Sequence, residues 1–290
     1  MPQASANGIA LEYVTEGDRA DPPLLLVMGL GAQLITWPEG FVDALRQRGF
    51  FIIRYDNRDS GLSTKFEGLP DIGALIMGTD LSSATYLIED MAEDAAALLG
   101  ELGIGRAHVV GASMGGMITQ ALVINHPELV LSACSIMSTT GDRAVGAPTG
   151  EAVTALLRPP ATSREEAIEA GVAGSRVIGS PGYPVDEAIL RARAAAAYDR
   201  SYCPEGTVRQ LGAILGSPDR TPGLRQVAMP FLVVHGESDP LVTPSGGDAT
   251  AAAVPGSTLL TYPGMGHDLP EALWDPIIDA IVANTAKATV

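Results

Sequence analysis

Along the chain, hydrophobic and polar positions change period several times, and each change marks an element. Ile9-Ala10-Leu11-Glu12-Tyr13-Val14 alternates well enough for a partly exposed strand, closed by Gly17-Asp18. After Asp21-Pro22-Pro23 the run Leu24–Met28 is continuously apolar, the mark of a strand buried on both faces, and it stops at Gly29-Leu30-Gly31. Phe41 to Arg48 reads as a helix with Phe41 and Leu45 on one side. Phe50–Tyr55 is a second buried strand, running into Asp56-Asn57-Arg58-Asp59-Ser60-Gly61-Leu62-Ser63. Residues 64–84 have no clear period and read as a loop with room for one short helix. Glu89–Leu102 is strongly amphipathic, with Met91, Ala95, Leu98, Leu99 and Leu102 on one face. Ala107–Val110 and Leu129–Met137 are the next strands, separated by a helical pattern through Ile118, Leu122 and Val123.

Strand and helix alternating in this way predict a parallel sheet covered by helices on both faces. From about Thr140 to Gln226 the strand-like runs vanish. Helical segments take their place at Glu151–Leu157, Arg164–Ile178, Val185–Asp199 and Val208–Leu215, punctuated by Ser180-Pro181-Gly182-Tyr183-Pro184. Strand patterns return at Pro230–His235 and Ser257–Tyr262, followed by a closing helix over Leu273–Asn284. The expected organisation is one α/β core from residues 1–139 and 227–290, with a helical lid over residues 140–226 inserted between two strands. There is no internal repeat or low-complexity tract.

Composition narrows the function classes. A 290-residue chain with 46% apolar residues suits one large domain carrying an insertion. A net charge of −16 argues against binding nucleic acid through its phosphates. Only Lys65 and Lys287 among the 18 cationic residues are lysines, a bias without evident chemistry. Residues Met1–Val14 lack the basic start and apolar stretch of a secretory signal, and no apolar run approaches the ~20 residues of a membrane span, so a cytoplasmic protein is expected. Cys134 and Cys203 are far apart without metal-ligand spacing, Cys134 reads as a small core residue, and no metal site is expected.

Candidate chemistry centres on Gly111-Ala112-Ser113-Met114-Gly115-Gly116, where an apolar strand meets a helix. G-x-S-x-G between a strand and a helix is a nucleophile elbow: the serine sits in an unfavourable backbone region on a sharp turn, and glycines remove side chains where strand and helix nearly touch. A serine hydroxyl needs a base, and the base needs an orienting carboxylate. Of the four histidines, His108 lies within a strand, His126 ends a helix and His235 closes a strand, so each reads as structural. His267 stands in the glycine-rich loop Pro263-Gly264-Met265-Gly266-His267-Asp268 after the last strand and is the candidate base. Asp239, in the loop after the preceding strand, is the candidate acid, with Glu237 as the second choice. Asp268 is too close in sequence to orient its neighbour's ring. The two oxyanion N–H donors are expected at Met114, just after the serine, and at Leu30, between Gly29 and Gly31.

Met28-Gly29-Leu30-Gly31, Arg54 to Ser63, Gly111 to Gly116 and Gly264 to Asp268 together resemble the α/β-hydrolase superfamily over nearly the whole chain, as does the order Ser113, Asp239, His267. The closest likeness is to the carboxylesterase branch that includes aclacinomycin methyl esterases and actinobacterial lipase/esterase-like proteins. The chain departs from most relatives at Met28-Gly29, where they carry His-Gly, and at Asp59, where many carry glycine. The resemblance implies a mostly parallel eight-stranded sheet, a Ser–Asp–His triad, Leu30 and Met114 as oxyanion donors, no cofactor, and a lid that shapes substrate choice. The expected activity is hydrolysis of a small-molecule carboxylic ester through an acyl-enzyme, by a monomer or homodimer. Thioester hydrolysis, perhydrolysis and carbon–carbon bond hydrolysis share the constellation, and a ligand-binding receptor on the same fold is the non-enzyme alternative. Leu156, Leu157, Val177, Ile178, Tyr183, Tyr198 and Tyr202 are the lid residues expected to supply an apolar pocket.

Overall fold

The computed structural model describes residues 2–288. Its centre is an eight-stranded sheet in the order β1-β2-β4-β3-β5-β6-β7-β8. The strands are β1 (Gln3–Ala6), β2 (Ile9–Glu16), β3 (Pro23–Val27), β4 (Phe51–Tyr55), β5 (Ala107–Ala112), β6 (Val130–Ile136), β7 (Phe231–Gly236) and β8 (Thr258–Tyr262). β1 and β2 form a hairpin, β2 pairs antiparallel with β4, and every later pairing is parallel. Seven of these strands follow runs legible in the sequence. The eighth, β1, is a short edge strand turned back by Asn7-Gly8, both at positive φ (50° and 78°), as a two-residue hairpin requires.

The helices are α1 (Glu39–Gln47), α2 (Ile72–Met77), α3 (Ile88–Glu101), α4 (Met114–Asn125), α5 (Gly150–Leu156), α6 (Arg164–Ile178), α7 (Glu187–Arg200), α8 (Pro204–Gly216), α9 (Thr221–Leu224), α10 (Ser245–Ala253) and α11 (Trp274–Thr285). Strand periodicity sorts the core into two layers. Leu24 and Leu26 of β3 face Phe41, Val42 and Leu45 of α1 and Ile277, Ile278 and Ile281 of α11. Leu25 and Val27 face the opposite way, onto Met91, Ala95, Leu98 and Leu99 of α3 and Met117, Ile118 and Leu122 of α4. α4 is buried from Met114 through Val123, which is why its sequence is apolar all round and not striped.

Two features of this topology position the site. β4 and β5 lie on opposite sides of β3, so the chain leaves the carboxyl ends of β3 and β5 in diverging directions and opens a crevice there. Helices α5–α9 all fall between β6 and β7, where no strand occurs. α6 and α7 pack on one another, and α8 packs against α2. Arg220 ties the two ends of this helical segment together. Its N–H donates to Thr140 O at 2.9 Å and its Nη2 to Thr139 O at 3.1 Å, while Nε reaches Gln120 Oε1 at 3.1 Å. Burial pushes this guanidinium down to about 10, against the weaker opposing pull of the Glu89 and Asp219 charges.

Candidate active site

Ser113 stands between the end of β5 and the first residue of α4, at φ 57° and ψ −121°, a region that non-glycine residues rarely adopt. Its neighbours explain how the turn is accommodated. A Cβ on Gly111 would lie 2.0 Å from the carbonyl oxygen of Gly115, and one on Gly115 would lie 2.1 Å from the carbonyl oxygen of Val27. Strand β3, strand β5 and helix α4 therefore meet backbone to backbone. The Ser113 N–H is held by Ile136 O of β6 at 2.9 Å. Helix α4 begins at the next residue, Met114, so the positive end of its dipole lies at the serine.

His267 Nε2 lies 2.8 Å from Ser113 Oγ, and His267 Nδ1 lies 2.7 Å from Asp239 Oδ2. These three side chains, separated by up to 154 residues, converge at the carboxyl ends of β5, β7 and β8. The Asp239 side chain is fully buried and its second oxygen accepts the N–H groups of Leu241 and Val242, both at 2.9 Å, which fixes the carboxylate face offered to the ring. The His267 N–H donates to Ile178 O of α6 at 2.7 Å, so the helical segment also seats the imidazole loop. A hydroxyl, an imidazole and a buried carboxylate bonded in series form an arrangement that can draw a proton from the hydroxyl and hold the resulting imidazolium.

The other acids and histidines lie elsewhere. Glu237 accepts from Thr261 Oγ1 at 2.9 Å on an exposed surface, away from the imidazole. Asp268 pairs with Ser180 Oγ; burial raises its pKa, and the Ser180 bond opposes that rise. His108 and His126 engage Ser132 and Glu93. His235 donates from Nε2 to Val242 O at 2.8 Å and lies 3.7 Å from Asp239; burial lowers its pKa, against the opposing Val242 hydrogen bond and Asp239 charge.

On the β3 side, a Cβ added to Gly29 would come within 3.0 Å of Ser113 Cβ and 3.5 Å of Ser113 Oγ, so the 29–31 loop runs directly beside the serine. Among the described residues, neither the Leu30 nor the Met114 N–H donates to a protein acceptor. The loop itself is heavily held. Asn57 Nδ2 donates to Met28 O at 2.8 Å, Asp56 Oδ1 accepts Leu34 N–H at 2.7 Å, and Gly31 N–H donates to Gln210 Oε1 of α8 at 2.7 Å. Gln33 donates to Ala197 O and Ser201 O and accepts from Arg200, whose Nη1 also meets Asp56 Oδ2 at 2.7 Å. Sequence reasoning missed Gln33, Arg200, Arg209 and Gln210 altogether. It noted Asp56 and Asn57 only within a motif and gave them no role.

A cavity of 560 Å³ opens among α5–α8 and reaches Gly31 and Gln33. Of the residues expected to supply an apolar pocket, Leu156, Leu157, Tyr198 and Tyr202 line it. Ile178 instead gives its carbonyl to His267, and Tyr183 packs against the core layer that contains α1 and α11. No group of three or more histidine, cysteine or acidic side chains among the described residues is placed to hold a metal ion, and no helix among them is long and apolar enough to cross a membrane.

A family model described as alpha/beta hydrolase fold matches residues 22–173, and a second, described as TAP-like protein, matches residues 194–282. Rhodomycin D methylesterase DauP of Streptomyces sp. (strain C5) is 30% identical, over 94% of this chain and 94% of its own. The 3-oxoadipate enol-lactonase 2 of Acinetobacter baylyi is 27% identical, over 88% of this chain and 85% of its own. The solved enol-lactonase from Burkholderia xenovorans LB400 superposes with a TM-score of 0.75 at 24% identity, covering 98% of this chain and 100% of its own, a likeness of fold.

Proposed function

The chain belongs to the α/β-hydrolase family, and from that membership and the geometry around Ser113 we propose that it is a serine carboxylesterase. The observation that carries the reading is the bonded series Ser113 Oγ, His267, Asp239, at 2.8 and 2.7 Å. Ser113 Oγ attacks the ester carbonyl as His267 Nε2 takes its proton, while Asp239 orients the ring and balances the imidazolium. The N–H groups of Leu30 and Met114 receive the oxyanion. His267 then protonates the departing alkoxide, leaving an acyl-Ser113 ester and a free alcohol. Water attacks that ester with His267 again as base, releasing the acid and restoring the serine. The names of the two relatives, methylesterase and enol-lactonase, both describe cleavage of an ester bond, open or cyclic, and support this bond class.

Helices α5–α8 act in this reading as the lid, and the cavity beside Gly31 is of a size to take a bulky part of the substrate. Ser113→Ala is the direct test. It should lower hydrolysis of short p-nitrophenyl esters by at least about 10⁴-fold and abolish labelling by a fluorophosphonate. A variant that keeps its turnover refutes the proposal.

A further inference from the structure

Resting on the esterase reading, we infer that Gln210 of α8 is a positioning residue for the oxyanion hole, so that the helical segment is part of the catalytic apparatus and not only a cover. Gln210 is fully buried, and both ends of its amide are used across two core loops. Oε1 accepts the Gly31 N–H at 2.7 Å, and Nε2 donates to Arg58 O at 2.7 Å. Its orientation is unique, because a reversed amide would set N–H against N–H at Gly31 and oxygen against oxygen at Arg58.

The bond to Gly31 acts on the peptide plane between Leu30 and Gly31. Leu30, whose N–H is the proposed donor, is thereby fixed on its carbonyl side. The preceding Met28 carbonyl is fixed by Asn57. Gly31 holds φ 66°, and a Cβ there would meet Thr207 Oγ1 of α8 at 2.8 Å, so α8 also presses on the loop from outside. α8 is in turn anchored next door. Arg209 Nε and Nη2 donate to the two oxygens of Asp59 at 2.9 and 2.8 Å, in a pair almost wholly buried. Asp59 thus supplies the anchor that holds Gln210 in register. The Gly29 carbonyl, in the same peptide plane as the Leu30 N–H, accepts the Ala32 N–H at 3.2 Å. This short turn rests on the Gly31 seat that Gln210 supplies, so a displaced α8 would let the turn shift and carry the Leu30 N–H away from the developing charge.

The test compares wild type, Ser113→Ala, Gln210→Met and Gln210→Glu in steady-state hydrolysis of a short-acyl p-nitrophenyl ester, with inhibition by an alkyl boronic acid, which forms a tetrahedral adduct on the serine. Far-UV circular dichroism and urea unfolding establish that each variant folds. Gln210→Met removes both hydrogen bonds at similar volume. It should lower kcat about 10²-fold, leave KM within about threefold, and weaken boronate inhibition in step with kcat. Gln210→Glu keeps the acceptor for Gly31, and its buried carboxyl, protonated, donates its O–H to Arg58 O in place of the amide; assayed at the lowest pH at which wild type keeps its activity, it should recover at least about tenfold of that loss. A folded Gln210→Met with wild-type kcat, a loss carried by KM alone, or a Gln210→Glu no better than Gln210→Met overturns the inference. If Gln210→Met does not fold, a folded Gln210→Glu decides: kcat within about tenfold of wild type supports the inference, and a loss of 10²-fold or more overturns it. A wild type without esterase activity, or an active Ser113→Ala, would instead refute the esterase reading itself.

Discussion

At the scale of single residues, backbone strain is retained where partners outweigh it. Asp59 holds φ 67°, where glycine would be unstrained. Relief of that strain by Asp59→Gly is worth about 1 kcal/mol. The same change strips Arg209 of both carboxylate bonds, Tyr86 Oη of its acceptor at 2.6 Å and Phe66 N–H of its acceptor at 2.8 Å. Removing one partner of a buried ion pair costs about 3–5 kcal/mol, so the loss wins. Asp59→Gly should be destabilising by roughly 2–4 kcal/mol in urea unfolding, and adding Arg209→Met should recover part of it. A more stable single variant would contradict this balance. Gly115→Ala is the sharper case, since its Cβ meets a β3 carbonyl that cannot yield without opening the sheet. That variant should lose more than about 3 kcal/mol or fail to accumulate as folded protein. Ser113, Asp239 and His267 could be picked out from sequence because each follows a strand in a loop with no packing role of its own. Gln210 could not, because its partner Gly31 lies 179 residues away and a glutamine within a helix carries no spacing signal.

At the scale of elements, the apolar runs mark the parallel strands because a strand covered on both faces cannot alternate. The elements that escaped have weak patterns for physical reasons. β1 turns only Ala4 and Ala6 inward, and its Asn7-Gly8 turn was the one readable sign of the hairpin. α10, Ser245–Ala253, is built of glycine, alanine and small polar residues with no apolar stripe. α8 begins at Pro204, four residues before Val208, since a proline at the first helical turn is a start and not a break. The elements of the helical segment differ in how they are fastened. α8 and the end of α7 dock on the core through buried bonds, Arg209 with Asp59 and Arg200 with Asp56, whereas α6 and α7 are laced to one another by exposed pairs, Arg191 with Glu165 and Glu169 and Arg164 with Asp199. Exposed pairs contribute little. Arg191→Ala should leave the urea midpoint within error of wild type, in contrast to Asp59→Gly; a shift comparable to that of Asp59→Gly would show that the α6–α7 surface is essential to the fold.

At the scale of the whole molecule, 34 acidic against 18 basic residues set a net negative field around the protein. Neutral esters should therefore be turned over in preference to anionic esters of matched size, with the difference in kcat/KM shrinking as ionic strength rises from about 0.01 to 0.5 M. A preference that ignores salt would place selectivity in local contacts instead. The same acidity acts on acid stability, because protonating carboxylates relieves repulsion as pH falls. The buried histidines act in the opposite direction. His108 Nδ1 lies 2.8 Å from Ser132 Oγ, and the ring packs edge-on against Phe50 at 5.9 Å. Burial, and secondarily the positive charge of Arg106, lower its pKa from 6.5 to about 4. Since the folded pKa lies below the unfolded one, the unfolded chain takes up this proton first. The stabilisation is complete above pH 6.5 and is lost as pH falls toward 4. By pH 5 the loss amounts to about 2 kcal/mol. His235 is lowered by burial too and adds to the loss in the same direction. Substituting His108→Gln keeps a polar partner for Ser132 and removes the titration. The difference in unfolding free energy between wild type and His108→Gln isolates the histidine from the carboxylates. It should move by about 2 kcal/mol against wild type between pH 7.5 and pH 5, and a difference constant across that range would mean that His108 titrates alike in the folded and unfolded chain.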